Sequence, residues 1–316
     1  MLSAIEILTA KKNLERVVYN TPLTFSKDLS KISGAEVYLK WENLQKSGSF
    51  KFRGAYNKIS SLTSEERSKG VITASAGNHA AAVSLAAKMI GVEATAVVPE
   101  NAPKVKIARC QTLGAKVIIS GAFYDESVDH CNKLALETGA TYIPAFEDNF
   151  VIAGQGTIGC EILDEIPNID TIMVPIGGGG LISGIALYCK TLNPNIKVIG
   201  VQSTKAYTMH ECFNAKQIVD VPILPTIADG LAGGIHQLTL DLVLRYVDEI
   251  VLAREEELKS AILWILENER QVVEGSGIVG PAIILQGESH FQSGEKVAVV
   301  ISGGNIDMDL LNLSYR

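Results

Sequence analysis

The chain has 316 residues, with 28 basic and 35 acidic side chains and a net charge of −7; 47 % of it is apolar, 20 % charged and 6 % aromatic. A chain of this length removes enough surface from water to fold as one large or two smaller domains without a disulfide or metal staple. The acidic balance excludes a duplex nucleic-acid binder, which needs clustered Lys and Arg to displace counterions, and the composition excludes disordered and fibrous classes.

The N-terminal run Met1-Leu2-Ser3-Ala4-Ile5-Glu6 carries an acid where a signal peptide needs a basic start. No stretch reaches the roughly 18 uncharged apolar residues of a membrane helix; the best candidate, Val71 to Val92, contains Asn78, His79 and Lys88. Strands are predicted at Glu36–Lys40, Val71–Thr73, Ala94–Val98, Lys116–Ile119, Ile172–Pro175, Lys197–Gln202 and Lys296–Ile301. Several are continuous apolar runs, the pattern of strands covered on both faces of a parallel sheet. Helices are predicted from Asn78 to Met89, from Lys104 to Leu113 with Pro103 in its first turn and Gly114 as C-cap, and from Glu255 to Arg270. This alternation defines an α/β fold with doubly wound parallel sheets. The units from about Val71 to Ile143 form a compact set, so the expected division is a small domain over 61–146 and a large one over 1–60 plus 147–316, with a ligand cleft between them.

Cys110, Cys131, Cys160, Cys189 and Cys212 are odd in number and lie far apart. They read as buried thiols of a reducing, cytoplasmic protein, without a disulfide framework or zinc site. His210-Glu211 opens like a zinc-protease motif, but Asn214 stands where the second His belongs, so no metal site is expected.

Four runs can carry chemistry. Val174-Pro175-Ile176-Gly177-Gly178-Gly179-Gly180-Leu181 is a buried strand, four glycines and a helix start. Such glycines let several backbone N–H groups converge on one phosphate; the plain alternative is a tight strand–helix turn. The ATP-binding P-loop pattern is missing, and Ser183 occupies the third glycine position of the dinucleotide fingerprint. An isolated cofactor phosphate therefore fits best. In Ser49-Phe50-Lys51-Phe52-Arg53-Gly54-Ala55, Lys51 sits between two aromatic rings at a helix start. Both surroundings lower a lysine pKa, as an imine-forming amine requires; the plain alternative is a surface lysine with a buried stem. Ser75-Ala76-Gly77-Asn78-His79-Ala80 offers helix-start amides to a carboxylate, or is a simple N-cap. Ile301-Ser302-Gly303-Gly304-Asn305 ends the last strand, where Ser302 faces a ligand crevice or lies in a terminal turn.

In this order, GSFKFRGA, SAGNHA, GGGGL and SGGN resemble pyridoxal-phosphate enzymes of the tryptophan-synthase-like fold (fold type II), in the serine/threonine dehydratase branch that also holds serine racemase. The resemblance runs from Thr21-Pro22-Leu23 to Asn305. It implies a Schiff base between Lys51 and pyridoxal 5'-phosphate beside Phe50, a phosphate held by Gly177, Gly178, Gly179 and Gly180, Asn78 on the ring oxygen and Ser302 on the ring nitrogen. It also implies a substrate carboxylate held by Ser75, Ala76, Gly77, Asn78 and His79. The implied reaction is β-elimination from L-threonine or L-serine, giving 2-oxobutanoate or pyruvate plus ammonia. A neutral serine at the ring nitrogen weakens the electron sink, which favours prompt loss of a β-substituent over transamination.

The chain departs from the branch in places. Ala76 stands where serine racemase has a second-face acid/base serine, and alanine has no exchangeable proton. Gln202 and Thr208 occupy positions where the racemase-type cation site has acids. Ala81-Ala82 replaces a common Gln-Gly, and Ile227 to Gly234 resembles the branch that also contains hydroxy-amino-acid dehydratases of other specificities, so 3-hydroxyaspartate and phenylserine are further candidate substrates. Racemisation, another hydroxy amino acid, or a catalytically inactive ligand-binding relative stay open as alternatives. The resemblance further implies a homo-oligomer, dimer or tetramer, and a catalytic core without a C-terminal regulatory domain.

Overall fold

The computed structural model describes residues 2–222, 224–287, 291–307 and 310. Among them, ten strands form two sheets. The strands are β1 (Leu23–Phe25), β2 (Glu36–Trp41), β3 (Val71–Ala74), β4 (Ala94–Val98), β5 (Lys116–Ile119), β6 (Thr141–Tyr142), β7 (Thr171–Pro175), β8 (Lys197–Ser203), β9 (Glu249–Ala253) and β10 (Lys296–Ile301). The larger sheet runs β1-β2-β10-β7-β8-β9 and the smaller β5-β4-β3-β6. Every pairing is parallel except β1 on β2. All seven predicted strands are present, within one residue at each end.

The continuous apolar runs have the predicted cause. In β10, Ala298 and Val300 enter one core while Val297, Val299 and Ile301 enter the core on the opposite face. A strand that is buried on both faces has no place for a polar alternate. The smaller sheet is likewise covered on both sides, by two further clusters around Val83 and Ala86 and around Val97 and Cys131. Each of the five cysteines is a buried free thiol.

The predicted helices form as Asn78–Ile90, Lys104–Thr112 and Glu255–Glu269. Pro103 is the N-cap residue of its helix, one place earlier than predicted. Leu113 holds the C-cap position, with Gly114 just beyond it at φ +101°. Among the described residues, no helix is long and apolar enough to cross a membrane, and no group of three or more His, Cys, Asp or Glu side chains is placed to hold a metal ion.

Parallel strands all finish at the same end of their sheet. The runs singled out in the sequence sit there: Ser75 follows β3, Gly177 follows β7 and Ser302 follows β10. The Lys51–Ser60 helix joins them through backbone pairing. Phe50 N–H donates to the Ser302 carbonyl at 3.0 Å, and Gly304 N–H donates to Gly48 at 2.9 Å. These bonds set Lys51 beside Ser302 although 250 residues separate them in sequence.

Behind Lys51 the same helix is held by a buried ionic cluster. Arg53 is fully buried, and its guanidinium forks onto both oxygens of Glu42 (2.8 and 2.7 Å) and both of Glu161 (2.6 and 2.9 Å). Buried Lys40 completes a neutral quartet by pairing with Glu161 at 2.7 Å and donating to the Thr21 carbonyl at 2.5 Å. Planar bidentate geometry is what makes a buried arginine tolerable, because every donor finds an oxygen.

Candidate active site

A cleft of about 1200 Å³ opens where the two sheets' strand ends meet, lined by every residue singled out above: Phe50, Lys51, Ser75 to His79, Gly177 to Gly180 and Ser302. The fold thus brings all of the candidates together.

Lys51 is the first residue of its helix. Its Nζ lies 5.3 Å from the Phe50 ring centroid and donates to the Ala145 carbonyl at 2.8 Å. Burial pulls its pKa from 10.5 down to about 8, against the weaker opposing pull of Glu147. A lysine whose partner is a neutral carbonyl keeps a share of free base near neutrality.

The glycine run turns from β7 into the Gly180–Leu192 helix, whose first-turn amides have no intrahelical acceptor. Gly179 has φ +92°, a conformation that favours glycine. A Cβ on Gly178 would fall 2.5 Å from three atoms of the Phe146 ring. This backbone lies bare between an aromatic wall and the cleft, which is how an anion is approached by main-chain N–H groups.

Asn78 opens the Asn78–Ile90 helix. Its Nδ2 donates to Glu274 Oε1 at 2.6 Å, and its Oδ1 accepts from Asn305 Nδ2 at 2.6 Å. Each amide atom retains a second hydrogen-bonding position for a ring oxygen or substrate. Asn305 also accepts from Arg109 Nη1, and Arg109 Nη2 donates to the Ser47 carbonyl at 2.8 Å. This chain ties the helix carrying Arg109, beside the smaller sheet, to the loop after β10 of the larger one.

The His79 side chain is engaged away from any anion. The buried ring bonds the Ile143 carbonyl through Nε2 at 2.8 Å, which makes Nε2 the protonated nitrogen. Burial, with Lys51 nearby, drives its pKa down to about 3. The ring is therefore neutral, and Nδ1, buried without a partner, is an acceptor that repels a carboxylate. Any contribution of His79 to an anion comes from its backbone N–H in the first turn. Ser302 is buried, and its Oγ donates to the Ser276 carbonyl at 3.4 Å.

Sequence reasoning missed Ala145, Phe146, Glu147 and Glu274. Glu274 is buried at the N-cap of the Gly275–Leu285 helix, apolar but for Ser276, and burial together with Asp229 pushes its carboxyl up to about 7. An acid directly before Gly-Ser-Gly and an apolar helix was the available signal.

These features fit pyridoxal phosphate: a lysine of lowered pKa on a neutral carbonyl, a glycine cradle walled by Phe146, and a buried hydroxyl at the end of β10, all in one cleft. Residues 14–303 match the family model described as "Pyridoxal-phosphate dependent enzyme". The chain belongs to the pyridoxal-phosphate-dependent enzyme family, and pyridoxal 5'-phosphate is its cofactor. Within that family it is 47 % identical over 313 residues to the L-threonine ammonia-lyase of Thermotoga maritima, covering 99 % of this chain and 78 % of that protein. Its structure superposes on maize serine racemase with a TM-score of 0.95 at 36 % identity, covering 99 % and 97 % of the two chains. The processed form of threonine deaminase isoform 2 from Solanum lycopersicum gives 0.93 at 36 % identity, covering 98 % and 86 %.

Proposed function

We propose that this chain is an ammonia-lyase that converts L-threonine to 2-oxobutanoate and ammonia, and L-serine to pyruvate and ammonia. The single observation that carries the reading is the free-base-prone Lys51 facing the glycine cradle across one cleft. The substrate is taken from the relatives named for threonine chemistry.

Bound pyridoxal phosphate supplies an aldehyde that condenses with primary amines and a conjugated ring that draws electrons from the substrate Cα. Lys51 would hold the aldehyde carbon, Gly177 to Gly180 the phosphate, Asn78 the ring oxygen and Ser302 the ring nitrogen, beside Phe50. The free amides of Ala76, Asn78 and His79, with the Ser75 hydroxyl, would bind the substrate carboxylate; the Ser75 N–H is taken by the Val97 carbonyl at 3.1 Å and the Gly77 N–H by Ser75 Oγ at 3.2 Å. Lys51 Nζ, freed when the substrate amine takes its place on the aldehyde carbon, would be the base placed to accept the Cα proton. Phe146 walls the cradle behind Gly178. Ser302, being neutral, would give the ring nitrogen no acid, which favours loss of a β-substituent over transamination.

Ala76 lines the cleft where racemisation on the second face would need a proton donor, which argues for the lyase over the racemase. The two sheets support a small domain over 61–146 closing on a large one over 1–60 plus 147–316. The buried thiols support a cytoplasmic setting, and the family resemblance supports a homo-oligomer. The test is 2-oxo acid release from L-threonine, L-serine, 3-hydroxyaspartate and phenylserine, with D-serine formation measured in parallel. Threonine is expected to react fastest with no D-serine formed. Preference for another member of the panel, or D-serine as the main product of L-serine, refutes the assignment.

A further inference from the structure

The glycine run is flanked by two elements: the end of β7, which delivers Ile176 to Gly177, and the Thr208–Ala215 helix, whose Met209 packs on Gly179. A Cβ on Gly179 would lie 2.8 Å from Met209 Cε. One side chain spans both elements. Gln202, near the end of β8, is fully buried. Its Nε2 donates to the Ile176 carbonyl at 3.1 Å, and its Oε1 accepts from the His210 backbone N–H at 2.8 Å. One amide thus fixes the peptide unit entering the glycine run and the first turn of the helix that backs it.

From this geometry we infer that Gln202 is a positioning residue for the cofactor phosphate, an inference that rests on the pyridoxal-phosphate reading above. The phosphate is held by main-chain N–H groups, whose directions depend on the backbone at either side of the run. Glycines supply no side chain to lock that backbone, so the lock comes from outside. A buried primary amide suits the task because it offers a donor to a carbonyl and an acceptor to an N–H at once. Carboxylate at this position keeps the acceptor but sets an anion against the Ile176 carbonyl. Methionine keeps the volume and loses both bonds.

The test titrates wild type, Gln202→Met and Gln202→Glu, each stripped of cofactor and kept in a chelator, with pyridoxal 5'-phosphate and separately with pyridoxal, which lacks the phosphate. The readout is the near-visible absorbance of the bound aldehyde. Losing one or two net hydrogen bonds predicts a roughly tenfold weaker affinity for pyridoxal phosphate in both variants. Affinity for pyridoxal stays within about twofold of wild type, so the ratio of the two affinities collapses. Circular dichroism and the unfolding midpoint check that each variant folds, and the glutamate variant stands in if the methionine one does not. Equal weakening toward both ligands makes Gln202 a general structural residue and overturns the inference. Unchanged affinities in the variants overturn it as well. Wild-type protein that binds neither ligand removes the underlying reading along with it, an outcome distinct from the other two.

Discussion

Replacing Lys51 by methionine should make the cofactor-free protein more stable at neutral pH. In the fold the Lys51 ammonium is desolvated and titrates at about 8, against 10.5 for the unperturbed side chain. That gap is worth about 3 kcal/mol of penalty against the charged form. Below pH 8 both folded and unfolded chains hold the proton and the penalty is complete. Between pH 8 and 10.5 the unfolded chain holds a proton that the fold has released, so wild-type stability rises with pH until the penalty is gone. Methionine removes the charge and nearly matches the volume, but it leaves the Ala145 carbonyl without its donor, a loss of about 1 kcal/mol. The net expectation is a variant about 2 kcal/mol more stable at pH 7, with the advantage gone by pH 10.5. Urea unfolding of the stripped proteins at both pH values measures it, since bound cofactor would add its own stabilisation by mass action. A variant no more stable than wild type at pH 7, or one whose advantage is the same at both pH values, refutes the claim that this lysine is held against its preferred charge state.

Arg53→Met leaves fully buried Glu42 and partly buried Glu161 without their guanidinium and should cost about 3–5 kcal/mol in denaturant unfolding; a loss below about 1 kcal/mol would show that the quartet is not what holds the Lys51 helix. Glu274 titrates at about 7 in the fold against 4.5 unperturbed, so the native protein keeps a proton that the unfolded chain gives up, and stability falls as pH rises from 4.5 to 7. Glu274→Gln keeps an acceptor for Asn78 and should gain stability over wild type through that window, by up to about 3 kcal/mol, and hold the gain above it; a gap that stays flat with pH contradicts this. Gly178→Ala drives a methyl into the Phe146 ring and should weaken pyridoxal phosphate by at least about tenfold, with partial recovery in Gly178→Ala/Phe146→Leu; full affinity in the single variant would place the cradle elsewhere.

The central parallel strands were legible because burial on both faces leaves an unbroken apolar run, as in Val297 to Ile301. The strands not anticipated lack that signature: β1 has three residues, β6 two, and β9 mixes exposed and buried positions. The site runs were legible because their chemistry is local, with four glycines in succession and a lysine between two rings. Their partners were not. Lys51 bonds a main-chain carbonyl 94 residues away, and Asn78 bonds an acid 196 residues away. A carbonyl carries no residue-type signal, and a pairing across the cleft is set by how the sheets meet. The Arg53 quartet was illegible for a related reason: a helix with charges reads as solvated until the acids that neutralise it are found on other elements. His79 shows the converse, a legible residue whose ring has another task because Ile143 claims its one N–H.

The account turns on Lys51 being the amine that carries the cofactor. Borohydride reduction of the protein loaded with pyridoxal phosphate converts the imine to a stable secondary amine, and peptide mapping locates the modified lysine. One pyridoxyl group per chain is expected, on Lys51, with an unmodified, colourless Lys51→Ala protein that releases no 2-oxo acid from L-threonine. A pyridoxyl group on a different lysine, or a Lys51→Ala protein that keeps both colour and activity, contradicts it.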